Sequence, residues 1–153
     1  MAKLITYFYF VIIIFGSLIH SEKLVAELKR LVFAEGCLNP SLDRSKRFTI
    51  RKYRQGAHDF SKDEVVVGEF KEGLDILLHV TEDTLKRPFK LLQRSKRMCE
   101  KKGGHWFDDT YFEDLKSYYP DLTWDTMGAV IFFEVLKVDG VPVVQFNEHA
   151  QSA

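Results

Sequence analysis

The sequence has only two cysteines, four prolines and no net charge. Two cysteines cannot build a disulfide-dense miniature fold or a four-cysteine zinc site. Lys+Arg and Asp+Glu both number 22, so no overall field draws the whole chain onto nucleic acid or an anionic membrane. The sequence lacks HExxH, GxSxG, a P-loop and GxGxxG, the short patterns that place zinc ligands, a nucleophile or a phosphate cradle. Internal repeats and low-complexity linkers are missing as well. Asn39-Pro40-Ser41 has proline in the middle of its triplet, so no N-linked sugar is expected there.

What is present is core material. The chain has 153 residues, 46% of them hydrophobic and 29% charged, with 13 Phe, six Tyr and two Trp. That length and balance fit one globular domain.

Residues 1–21 have the order of a secretory signal: basic Met1-Ala2-Lys3, an apolar run from Leu4 to Phe15, then Gly16 and a small Ser21 before Glu22. Two other readings stay open. Kept as an anchor, residues 4–19 would span about 24 Å, short of a roughly 30 Å hydrocarbon core. As a core element, the run would show neither a period of 2 nor one of 3.6. A cleaved signal gives a secreted protein with no stable membrane insertion. Retention in the endoplasmic reticulum or anchoring through residues 4–19 is the alternative. The expected division is a signal at 1–21, a single domain at 22–147 and a frayed tail at 148–153.

In an oxidising compartment, Cys37 and Cys99 are expected to pair. The bridge would close a loop of about 63 residues and contribute roughly 4 kcal/mol on the chain-entropy view.

Hydrophobic periodicity sets the expected elements. Leu24, Val25, Leu28, Leu31 and Val32 form a helical stripe over 21–36, and Gly36 suits its end. Strands are expected at 47–54, where Phe48 and Ile50 alternate with basic residues, at 64–70 (EVVVGEF) and at 74–80 (LDILLHV). Thr81-Glu82-Asp83 announces a helix running to about Lys102, with Pro88 inside it. A shorter helix from Asp108 or Asp109 carries Tyr111, Phe112 and Leu115 and stops at Pro120. Residues 129–138 and 141–146 form a final hairpin about Asp139-Gly140, with Pro142 on an edge strand. The expectation is an α+β fold ordered α-β-β-β-α-α-β-β after the signal segment: an antiparallel sheet of about five strands with helices on one face.

The five histidines make no metal spacing. His105 with Asp108 and Asp109 reads as a solvated helix start, and His79 as a satisfied strand residue. No catalytic residue, cofactor or metal is expected.

The charges, balanced in sum, are segregated in pieces. Residues 44–54 hold Arg44, Lys46, Arg47, Arg51, Lys52 and Arg54 with no acid, and residues 86–102 are also strongly basic, including Lys90, Arg94 and Arg97. Residues 108–125 are acidic. Two readings follow: solvated faces that pair across the fold, or a basic face built from Arg47, Arg51, Lys52, Arg54, Lys90, Arg94 and Arg97. Such a face would meet another protein or an acidic glycan. The secretory address disfavours nucleic acid.

Glu64-Val65-Val66-Val67-Gly68 resembles the Gln-x-Val-x-Gly loop of the cystatin family at Val66 and Gly68. It has Glu for Gln, Pro142 is followed by Val143 rather than Trp, and the family's leading Gly is missing. The resemblance extends to element order and implies an inhibitor of papain-like proteases. The expected function is a secreted, non-enzymatic protein-binding domain using the basic face. The cystatin-like inhibitor, a carrier of a small apolar ligand, which needs a cavity, and an enzyme with a dispersed site are the alternatives.

Overall fold

The computed structural model describes residues 27–92 and 109–146. The expected signal segment, the tail from 148 and most of the second basic run lie outside the described residues. The fold is mixed α+β, a curled sheet with few helices. In chain order the strands are β1 (Arg30–Phe33), β2 (Phe48–Lys52), β3 (Val65–Phe70), β4 (Leu74–Val80), β5 (Leu85–Pro88), β6 (Met127–Val135), β7 (Lys137–Val138), β8 (Val141–Pro142) and β9 (Val144–Phe146). The helices are α1 (Leu38–Leu42), α2 (Phe89–Leu92) and α3 (Asp109–Tyr118).

The β-branched run Val65-Val66-Val67 favours a pleated, buried surface, and β3 folds back on β4 through a turn at 71–73. Gly73 takes φ +90° there, a left-handed conformation open to glycine at no steric cost. The nearly all-apolar β6 is buried along most of its length and organises the rest of the sheet. Its first half pairs with β2 on one edge, Phe48 opposite Phe132 and Lys52 opposite Gly128. Its other edge is shared in line by β5, from Met127 to Val130, and β4, from Phe133 to Val135. Asp139 (φ 51°) and Gly140 (φ 79°) make the tight turn between β7 and β8, and β9 returns to pair with the start of β4.

Period-2 alternation along β6 separates two cores. Ile131, Phe133 and Val135 point into one with Leu31, Phe33, Phe60, Phe70 and Leu78. Val130 and Phe132 point into the other with Phe48, Ile50, Phe89, Phe112, Leu115 and Leu122. Phe33 stacks on Phe70 at 4.6 Å and meets Phe133 edge-on at 5.2 Å. Phe112 stacks on Trp124 at 3.8 Å. The edge-on contact of Phe33 with Phe133 suits the aromatic quadrupole.

Three expectations are corrected. The helix over 21–36 gives way, in its described part, to β1, which lies parallel to β3 from Arg30 opposite Val67 to Phe33 opposite Phe70. Leu31 and Phe33 turn inward while Arg30 and Val32 turn out, because the free edge of β3 offers backbone partners that a helix would leave unused. The long helix expected from Thr81 to about Lys102 gives way, in its described part, to β5 followed by α2, and residues 93–102 lie outside the described residues. Residues 85–88 continue along the edge of β6 that β4 has left, and Pro88, which has no N–H and clashes inside a helix, stands at the junction. Nor do the helices share one face. Phe89, Leu92, Phe112 and Leu115 of α2 and α3 cover the second core, whereas Leu38 and Leu42 of α1 pack against the first.

Candidate functional site

The curled sheet does not close. The Lys29 carbonyl accepts from Val67 N–H at 2.9 Å, so the backbone groups of Arg30 and Val32 face away from β3. The Arg47 carbonyl accepts from Phe133 N–H, and Tyr53 N–H donates to Met127, each at 2.9 Å. Ile50 and Lys52 therefore turn their backbone groups away from β6. These two free edges face each other across a seam that no strand fills among the described residues.

Side chains fill it instead. Arg51 on β2 donates through Nη2 to the Val32 carbonyl of β1, and its guanidinium lies 5.5 Å from the centre of the Phe33 ring. Tyr111 of α3 lies with Ile50 in the wall of one side of the seam, and His58 with Lys52 in that of the other. His58 Nδ1 accepts from Arg54 N–H at 3.1 Å. Side-chain covers of this kind stop a free edge from templating strand addition.

Two hollows flank Arg51. One, of about 630 Å³, is lined by Lys29, Arg30, Lys52, Arg54 and His58 among others. The other, of about 400 Å³, lies between β1, β2 and α3 and takes in Lys46, Lys71, Tyr111, Tyr118 and Tyr119. Arg51 lines both, and no carboxylate lines either among the described residues.

Burial shapes the charges here. It pushes Arg51 below its ordinary value, opposed by Tyr119, Cys37 and Tyr111. A guanidinium stays protonated nonetheless, so the downward push expresses the cost of burying a cation without a counter-ion. Burial also pushes Lys46 down, with Cys37 opposing and Arg51 adding to it. Burial raises Tyr111 and, followed by the charges of Arg51 and Arg54, lowers His58.

The residues expected to form one basic face are distributed differently. Arg51 and Arg54 line the seam, whereas Arg47 donates to the Arg44 carbonyl at 3.0 Å. Lys52 pairs with Asp121 and Lys90 with Asp125, so part of the basic surface is neutralised by the acidic segment. Arg94 and Arg97 lie outside the described residues. Cys37 lies beside the smaller hollow and forms no disulfide among the described residues, and Cys99 lies outside them. Lys71 and the tyrosines of α3 are contributors that the basic runs in the sequence do not reveal.

The cystatin-like segment is not a loop. Val65–Gly68 is buried in mid-strand between β1 and β4, and a Cβ on Gly68 would come within 2.8 Å of Leu78 Cδ1. The sheet interior is occupied by phenylalanines, and both hollows lie at a cationic seam rather than in a wholly apolar chamber. His79 sits between Asp63 at 3.0 Å and Glu134 at 3.2 Å. Among the described residues, no three His, Cys, Asp or Glu gather as a metal set, and no helix is long and apolar enough to cross a membrane.

No protein-family model matches the chain, and neither a curated protein nor a solved structure matches it.

Proposed function

We propose that the chain is a non-enzymatic binding domain of the secretory pathway that engages an acidic protein through the cationic seam between β1 and β2. One observation carries this reading: lysines and arginines from separate parts of the fold line the two hollows around Arg51 without a single carboxylate. Lys29, Arg30 and Lys52 have acidic partners nearby, whereas Lys46, Arg51, Arg54 and Lys71 have no ion-pair partner among the described residues. Such a cluster steers an acidic partner toward the site and sets its orientation, and it weakens as salt screens it. The secretory address rests on the order of residues 1–21.

Chromatography of the full chain on immobilised poly-L-glutamate and on heparin tests this reading. Retention on polyglutamate, release by added salt and earlier release of an R54Q variant are expected. Flow-through at low salt overturns the reading, as does retention on heparin alone, which would point to a glycan. Non-reducing mass analysis of the protein exported from a eukaryotic cell is expected to show cleavage after Ser21 and a Cys37–Cys99 bridge. A retained leader would replace the secreted form with an anchored one.

A further inference from the structure

The smaller hollow belongs to the same cationic seam as the reading above and has, in addition, a chemistry of its own. Its volume of about 400 Å³ falls within the range of small-molecule sites. Three cations contribute to it: Lys46 before β2, Arg51 on β2 and Lys71 in the turn after β3. The other walls are apolar or aromatic, with Val32 half exposed on β1, Leu115 and Tyr111 on α3, and Tyr118 and Tyr119 at its end. Tyr118 is 66% exposed, a large ring surface left uncovered at the rim.

Arg51 is the least satisfied group of this wall. One terminal nitrogen serves the Val32 carbonyl, the ring of Phe33 lies beneath the guanidinium, and Nε is buried with no hydrogen-bond partner among the described residues. Burial thus leaves Arg51 a cation without a counter-ion among the described residues, and an anion seated in the hollow lowers that cost. An anionic head supplies counter-charge to Arg51 and Lys46 together. Neither water nor an uncharged apolar ligand supplies it.

We propose that the hollow between β1, β2 and α3 binds a small amphipathic organic acid, its single anionic head at Arg51 and Lys46 and its compact apolar body against Val32 and Tyr118.

A fluorescence titration of the full chain with 8-anilinonaphthalene-1-sulfonate tests the proposal, because that dye joins one sulfonate to an aromatic body. The neutral N-phenyl-1-naphthylamine, which lacks the sulfonate, serves as its control. Saturable one-site binding of the anionic dye is expected, at least about tenfold tighter than the neutral one. Arg51→Met and Lys46→Met should each weaken the anionic dye by about tenfold, and Tyr118→Ala should weaken both dyes. R54Q, which tests the seam as a protein-binding surface, should leave the titration unchanged. Circular dichroism monitors folding, and Lys46→Met carries the test if Arg51→Met does not fold. Equal binding of the two dyes, or undiminished binding of the sulfonate dye by a folded Lys46→Met variant, overturns the proposal and leaves a water-filled crevice.

Discussion

In the loop after β2, Asp59 ties together Lys86 of β5 and two groups of its own loop. It accepts from Lys86 Nζ at 2.9 Å, from Gly56 N–H at 2.8 Å and from the Tyr53 hydroxyl at 2.9 Å. The Lys86 hydrogen bond, followed by that from Gly56, holds its carboxyl at about 2 rather than the usual 3.8. The sign follows from that lowering: the folded state binds this proton more weakly than the unfolded chain. The stabilisation is present in full above 3.8 and disappears as pH falls through about 2. Asp59→Asn should therefore flatten the loss of thermal stability over that interval, and a series of melting curves against pH measures it. An unaltered acid limb would refute the assignment. Residue-scale roles were only half legible in the basic run. Arg51 and Lys52 are adjacent and equally basic, yet strand alternation turns Arg51 to the Val32 carbonyl and the Phe33 ring and Lys52 to the carboxylate of Asp121.

Among the elements, β3 has the least room for change. Its Gly68 lies where a Cβ would meet Leu78 Cδ1 at 2.8 Å and Phe70 Cε2 at 3.0 Å. Both side chains are buried, so neither can yield freely. Gly68→Ala should destabilise the domain by about 1–3 kcal/mol, read as a lower denaturant midpoint. The same logic separates the elements the sequence reveals from those it hides. The positions of β3, β4, β6 and α3 were legible because each carries its own period or a valine-rich run, bounded by Gly73, Asp139-Gly140 or Pro120. Those of β1 and β5 were not. Each is a short segment whose local pattern favours a helix, and each becomes a strand because a longer strand presents an unpaired edge to it. Pro88 was the one local warning, and it marks the junction of β5 and α2.

The whole molecule is held together by β6, which contributes alternate residues to both cores. Phe133 belongs to the first core and Trp124 packs against the second. Phe133→Ala should cost about 3–5 kcal/mol and shift the Trp124 fluorescence transition, followed in a Trp106→Phe background, together with the circular dichroism transition. Separate transitions would show two independently unfolding halves. At this scale the mixed α+β class was legible from element types, while the site was not. Its cations come from β1, β2 and the β3–β4 turn and its rings from α3, a gathering that only the curl of the sheet brings about. The parallel pairing of β1 also bears on how the protein is made. Val67, the partner of Arg30, follows roughly 37 residues later, or about 2–7 s of synthesis at ordinary ribosomal rates. The strand forming one wall of the seam is thus translated before its template exists, so the cleft is completed only after the β3–β4 hairpin stands ready to receive it.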